Sequence, residues 1–273
     1  MGSVLAASTA SDWRQPDPAN TLYVQLEHGR VVIELAPQFA PEHVANIRKL
    51  VDRHYFDGLA IIRSQDNYVA QWGDPHADSA AARSMGSAAQ TLAPEFYRAA
   101  TGLSFTEIDS RDAYANHVGF SHGFPAGRDG LDGRAWLTHC YGMLGVGRAE
   151  SPASGNGAEL YVVTGHAPRH LDRNVTLVGR VIDGMQHLTT LPRGTGPLGF
   201  YEDPDQYVSI NSIRFGTNLP VSERLDVELL RTDTATFKQL VEARRHRAES
   251  WFVDPADGIE VCNVPLPVRL VNR

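Results

Sequence analysis

Two stretches near the start of the chain alternate apolar and polar side chains with a period of two. Leu22, Val24 and Leu26 interleave with Tyr23, Gln25 and Glu27; after His28 and Gly29, the residues Val31, Ile33 and Leu35 take up the same spacing. Such alternation marks strands with one buried face, and the glycine between the runs predicts a hairpin. Pro41 then stands at the favoured first position of a helix, with Val44, Ile47, Leu50 and Val51 following at helical spacing. Further strands are predicted at Leu59–Arg63, Tyr68–Gln71, Leu160–Thr164, Val175–Val181 and Ser209–Phe215, separated by turn residues. The pattern predicts a mainly β domain, either a sandwich or a closed barrel.

Residues 75–135 interrupt this rhythm with small residues, glycines and charges. A structureless loop of that length is unusual inside a domain, so a functional insertion with some structure of its own is expected. After Gly216 the spacing of Phe237, Leu240, Val241, Ala248, Trp251 and Phe252 predicts an amphipathic helix, and the charge run Arg244–Arg247 reads as its solvated face. The first residues are polar and small, and are expected to be flexible. Val4–Ala7 has the character of the tail of a secretion signal, without the basic start and full apolar core of one.

Composition narrows the function. The net charge of −7 over 273 residues argues against binding to a nucleic-acid backbone, so no nucleic-acid partner is expected. No apolar run approaches the roughly 20 residues that span a bilayer, so membrane insertion is not expected either. The two cysteines, Cys140 and Cys262, lack the spacing of a zinc or redox site; two buried or idle thiols are the simplest reading, and a bond between them is possible. Eleven histidines include His76, His117, His122, His139 and His166, but no metal-binding spacing occurs, and no metal or cofactor is assigned.

One stretch stands out chemically: Ile61 to Asp74, IIRSQDNYVAQWGD. An arginine set directly against an apolar run must reach water, meet a carboxylate such as Asp66 or Asp74, or line a pocket awaiting a ligand. A second candidate is Gly119-Phe120-Ser121-His122-Gly123, which fits the G-x-S-x-G elbow of a serine hydrolase with Ser121 as nucleophile. That motif needs a helix after the serine, and Pro125 and Gly127 start one poorly, so the hydrolase is only a remote alternative.

The order of hairpin, helix, YFDG, IIRSQDNYVAQWGD, PEF, LTHCYGMLGVGR, ELYVVTG and HLDRNVTLVGRVIDGM resembles the cyclophilins, the family of peptidyl-prolyl cis–trans isomerases. The resemblance runs over about residues 20–216, with an insertion near 97–135, a flexible segment 1–19 before it and a C-terminal extension 217–273. It implies an eight-stranded antiparallel closed barrel capped by two helices, with a substrate groove on its outer wall. It also implies that Arg63 is the catalytic residue and that Tyr68, Val69, Gln71, Gly147, Arg148, Glu159, Tyr161, His170 and Leu171 form the substrate site, while His139 takes the place of a structural histidine.

The implied partners are proline-containing polypeptides bound by a monomer without a cofactor. A periplasmic or secreted location is favoured over the cytoplasm. A non-catalytic proline-peptide-binding module or chaperone on the same barrel is the alternative.

The departures from the family are as informative. Tyr68 and Tyr161 add hydroxyls where phenylalanine is usual, and a buried hydroxyl must find a partner. Glu159 replaces a glutamine and is expected either to orient Arg63 or to neutralise it. His170 replaces the indole that binds cyclosporin in sensitive members, and Val175 stands where many members close the pocket with a histidine.

Overall fold

The alternating runs close into a barrel. In the computed structural model, which describes residues 2–131 and 133–271, the strands are β1 (Thr21–Leu26), β2 (Gly29–Leu35), β3 (Ala60–Ser64), β4 (Val69–Gly73), β5 (Met143–Val146), β6 (Leu160–Val163), β7 (Leu177–Asp183) and β8 (Val208–Phe215). They pair antiparallel in the order β5-β6-β4-β3-β8-β1-β2-β7, and β7 returns to β5. Closure leaves no unpaired sheet edge, and successive residues face alternately into and out of the barrel.

The inward set is the one expected from the period of two. Leu22, Val24, Leu26, Val31, Ile33 and Leu35 form one core with Ile61, Ala70, Trp72, Leu144, Leu160, Val162 and Phe215. Helix α1 (Pro41–Asp52) adds Val44, Ile47, Leu50 and Val51 to the same core. The second helix of the barrel unit is a single turn, Gln186–Thr189, burying Leu188.

The chain divides into two units. Asp17–Tyr97 and His139–Leu225 form the barrel unit, while Met1–Pro16, Arg98–Thr138 and Asp226–Arg273 form the other. The insertion builds a five-stranded antiparallel sheet, in the order Arg98–Ala99, Arg134–Leu137, Phe124–Arg128, His117–Ser121, Thr106–Ile108. In the same unit, Trp13–Arg14 pairs with Val227–Leu230, which also pairs with Val268–Leu270. The N-terminal stretch, expected to be flexible, therefore holds a strand, and its Trp13 is buried beneath the Arg269 guanidinium.

Three expectations are corrected here. The C-terminal helix runs only from Ala235 to Arg245, capped by Thr234, with Phe237 packed edge-on against Phe120 at 5.1 Å. It stops where Arg244 and Arg245 meet the negative end of its dipole, and Trp251, expected on its apolar face, lies beyond it and is 82% exposed. The G-x-S-x-G run is a hairpin rather than an elbow. Ser121 ends one strand, His122 (φ 53°) and Gly123 (φ 88°) make the turn, Phe124 begins the next strand, and the serine is 1% exposed. With no helix behind it and no access to solvent, Ser121 is not a nucleophile. Finally, neither Cys140 nor Cys262 is an idle thiol: both are disulfide-bonded.

Candidate functional site

A strict period of two would turn Arg63 into the barrel, because Ile61 already faces the core. The ladder between β3 and β4 prevents this. Ile61 pairs with Trp72 but Arg63 pairs with Gln71, so Ile62 is an extra residue in β3. Such a bulge reverses the side-chain alternation beyond it and re-aims a side chain. Arg63 consequently joins Gln71 on the outer wall, where it is half-buried.

The outer wall beside it is apolar. Val69, Tyr161 and Val163 form a small cluster with Tyr68 and Val175 packed against it. Gly145 stands opposite Tyr161 in the β5–β6 ladder, and any side chain there would run into the tyrosine ring. Its missing Cβ is what lets that ring lie flat along the wall.

Above this floor is an open cavity of about 570 Å³. Arg63, Tyr68, Val69, Gln71, Gly147, Arg148, Glu159, Tyr161 and Leu171 all line it. His170 does not. It is exposed, and its ring lies parallel to that of Tyr68 with centroids 6.4 Å apart. Leu198 and Phe200 line the cavity as well, and the sequence reading missed them. What they contribute is a backbone carbonyl and a ring delivered by a loop distant in sequence, which no local spacing reveals.

Arg63 meets no carboxylate among the described residues. Asp66 pairs with Arg193, and Asp74 accepts the backbone N–H groups of His76 and Arg83. Instead Nε of Arg63 donates to the Leu198 carbonyl at 2.7 Å, Nη1 to Oε1 of Gln71 at 2.9 Å, and Nη2 to Oε1 of Gln65. The rings of Tyr68 and Phe200 flank it, with centroids 5.6 and 5.2 Å from Cζ. Three of the five N–H donors of a guanidinium are thus engaged, leaving one on Nη1 and one on Nη2. Burial pulls its pKa below the ordinary value, but arginine starts so high that it stays charged.

Glu159 orients rather than neutralises. Gln71 accepts from Arg63 on its oxygen and donates its amide nitrogen to Oε2 of Glu159 at 2.8 Å. An ionised carboxylate only accepts, so it holds the amide with its oxygen toward Arg63. Burial pushes the Glu159 pKa up, the Gln71 hydrogen bond pulls it down, and the charges of Asp78 and Asp74 push it up further.

The Tyr161 hydroxyl finds its partner below the floor. It lies 2.9 Å from Nε2 of His139, whose Nδ1 lies 2.9 Å from Oδ1 of Asp172; Arg169 donates to the other Asp172 oxygen at 2.6 Å. All of these groups are buried. Burial lowers the pKa of His139, outweighing the opposite pull of Asp172, so the ring is neutral. Burial raises the pKa of Asp172, but the hydrogen bond from His139 and the charge of Arg169 more than offset this and keep it ionised. The ring proton therefore sits on Nδ1, facing the carboxylate, and Nε2 accepts from the tyrosine.

This wall is able to receive a flat apolar ring against Tyr161 and to present a fixed cation to an atom beside it. Known proteins share the architecture. The model of the cyclophilin type peptidyl-prolyl cis-trans isomerase/CLD family matches residues 21–215. A probable peptidyl-prolyl cis-trans isomerase of Brucella suis is 26% identical over 218 residues, 76% of this chain and 87% of the relative. Peptidyl-prolyl cis-trans isomerase B of Bacillus subtilis is 42% identical over 57 residues, 20% of this chain and 40% of the relative. The crystal structure of cyclophilin AquaCyp293 from Hirschia baltica superposes with a TM-score of 0.73 at 26% identity, covering 100% of this chain and 98% of that one. Barrel, outer-wall cavity and family match agree, and the chain belongs to the cyclophilin-type peptidyl-prolyl cis-trans isomerases.

Proposed function

We propose that Arg63 is the catalytic residue of this isomerase, acting on Xaa-Pro bonds of polypeptides and so assisting their folding. The amide before a proline turns over a barrier of roughly 18–20 kcal/mol because resonance gives its C–N bond double-bond character. A cation donating an N–H to the prolyl nitrogen favours its pyramidal form and withdraws the lone pair from that resonance. Each 1.36 kcal/mol removed from the barrier is worth about tenfold in rate.

One observation carries this reading: the guanidinium stands at the cavity edge, free of any carboxylate among the described residues, held by neutral oxygens on three sides with two N–H groups left over. Its charge is therefore fixed in direction without being cancelled. Tyr161, Val69 and Leu171 supply the apolar walls for the proline ring.

The test is the cis–trans isomerisation rate of a proline peptide with the wild type and with Arg63→Ala. The variant is expected to lose tenfold or more in kcat/KM. Equal rates would leave a proline-binding module in place of the proposed chemistry.

Export from the cytoplasm is proposed on the disulfide-bonded state of both cysteines, since such bonds persist in oxidising compartments. Fractionation of the native host checks it, and recovery with the cytosolic fraction would refute it.

A further inference from the structure

We propose that Glu159 forms a cation subsite that takes the lysine or arginine side chain of a substrate residue lying within three positions of the proline. This rests on the reading of the groove as the isomerase site, and adds to it a preference for one class of substrate.

The geometry begins with a second cavity, of about 550 Å³, next to the one floored by Tyr161. The two have Asp74, Ala77, Gly147, Arg148, Ala149 and Glu159 in common. A chain with its proline in the first cavity advances only about 3.3–3.6 Å per residue, so a neighbouring long side chain reaches the wall between them. Gly147, on that wall, has no side chain to cover Glu159: a Cβ there would lie 3.1 Å from Oε2.

The carboxylate of Glu159 is poorly served by its own chain. Among the described residues only Gln71 donates to it, and only to Oε2. The acidic groups nearby are Asp74 and Asp78. Asp74 spends both oxygens on backbone N–H groups, whereas Asp78 is exposed. The cations lining the second cavity are directed elsewhere. Arg83 donates through Nη1 to the carbonyls of Tyr55 and Asp57, and Arg148 donates to those of Asn174, Ala149 and Glu150.

A carboxylate half removed from water, with one hydrogen bond and like charges beside it, gains by meeting a cation. The upward shift of its pKa, caused first by burial, has the same origin. A divalent metal does not fit this description. Such ions take several oxygen ligands, and no cluster of three metal-binding side chains occurs among the described residues. An organic cation on a long stem needs only the one open carboxylate oxygen and room to reach it, which the two adjoining cavities supply.

The experiment uses fluorescently labelled peptides with a single proline, in which lysine, norleucine or glutamate occupies in turn each of the three positions on either side. Equilibrium binding and isomerisation are measured with the wild type, Glu159→Gln and Arg63→Ala. At one position the lysine peptide is expected to bind the wild type about fivefold or more tightly than its norleucine counterpart at low salt, with the glutamate peptide weakest. The preference shrinks at high salt. It vanishes in Glu159→Gln and persists in Arg63→Ala.

Equal binding of lysine and norleucine peptides at every position overturns the subsite. So does a preference that Glu159→Gln retains, and so does the absence of binding by any peptide. Failure of the catalytic role of Arg63 appears separately, as an unchanged isomerisation rate in Arg63→Ala, and leaves the binding comparison readable.

Discussion

The phenol of Tyr161 and the imidazole of His139 meet at 2.9 Å beneath the cavity that Tyr161 floors. The hydroxyl that distinguishes this floor from a phenylalanine therefore does not point into the apolar slot. It ties the slot to the buried polar core of the barrel unit. Because Nδ1 carries the proton toward Asp172, Nε2 has a lone pair that, among the described residues, only the tyrosine serves. Tyr161→Phe leaves that acceptor buried and unpaired, and is expected to cost about 1–3 kcal/mol of stability. Urea denaturation checks this; an unchanged midpoint and slope would mean that the bond contributes nothing.

The pair of His139 and Asp172 also sets an acid limit on the fold. His139 is held neutral in the native state, so below its ordinary pKa of about 6.5 the unfolded chain binds a proton that the folded chain refuses. Asp172 is held below its ordinary value, so the stability it contributes is present above that value and is lost as pH falls through the lower, native one. Both act in the same direction, and stability is expected to fall steadily from about pH 6.5 downward. Asp172→Asn removes the carboxylate limb. It also breaks the buried ion pair between Asp172 and Arg169, at a cost of about 3–5 kcal/mol near neutrality. Denaturation curves at several pH values test both statements. A variant as stable as wild type at pH 7, or with the same acid slope, contradicts them.

How much of this was legible in the chain depends on how local the determining contact is. The hairpin of β1 and β2 could be read directly, since its alternation and its turn lie within 15 residues of each other. The outward direction of Arg63 could not, because a single extra residue at Ile62 reverses the alternation, and nothing in the letters IIRS announces a bulge. Leu198 was hidden for a different reason: its contribution is a carbonyl, which every residue type carries, brought to Arg63 across 135 positions. The helix expected to continue through Phe252 ends at Arg245, because His246 leaves helical geometry (φ −99°, ψ 83°) and bridges to Asp257, a contact the local spacing does not reveal. The hydrolase-like motif around Ser121 failed because a two-residue turn satisfies the same glycine pattern as an elbow.

The loop that delivers Leu198 offers a test of how Arg63 is held. Leu198 (φ 57°) and Gly199 (φ 78°) are both left-handed, and a Cβ on Gly199 would lie 2.6 Å from Cα of Gln65. Gly199→Ala must therefore shift the loop away from β3, withdrawing the Leu198 carbonyl from Nε of Arg63. A stability loss of about 1–2 kcal/mol is expected, together with a fall in kcat. Gly142→Ala is the control. Gly142 also has positive φ, 81°, but its nearest neighbour would be Sδ of Met185 at 3.8 Å. It should lose stability through backbone strain alone and keep its isomerase rate. A Gly199→Ala enzyme as fast as the control would show that the carbonyl does not position the guanidinium.

Cyclosporin binding follows from the position of His170. In sensitive cyclophilins an indole at this place binds the inhibitor; here an exposed imidazole lies parallel to Tyr68, outside the residues that line the cavity. An imidazole covers less apolar area than an indole, so the burial that holds the inhibitor is reduced. Weak inhibition is expected in a titration against isomerase activity. His170→Trp is expected to tighten it by about tenfold or more, since burying a larger ring against the inhibitor contributes about 25 cal/mol per Å² of apolar surface. Tight inhibition of the wild type, or a tryptophan variant no more sensitive than wild type, would show that His170 does not govern this face.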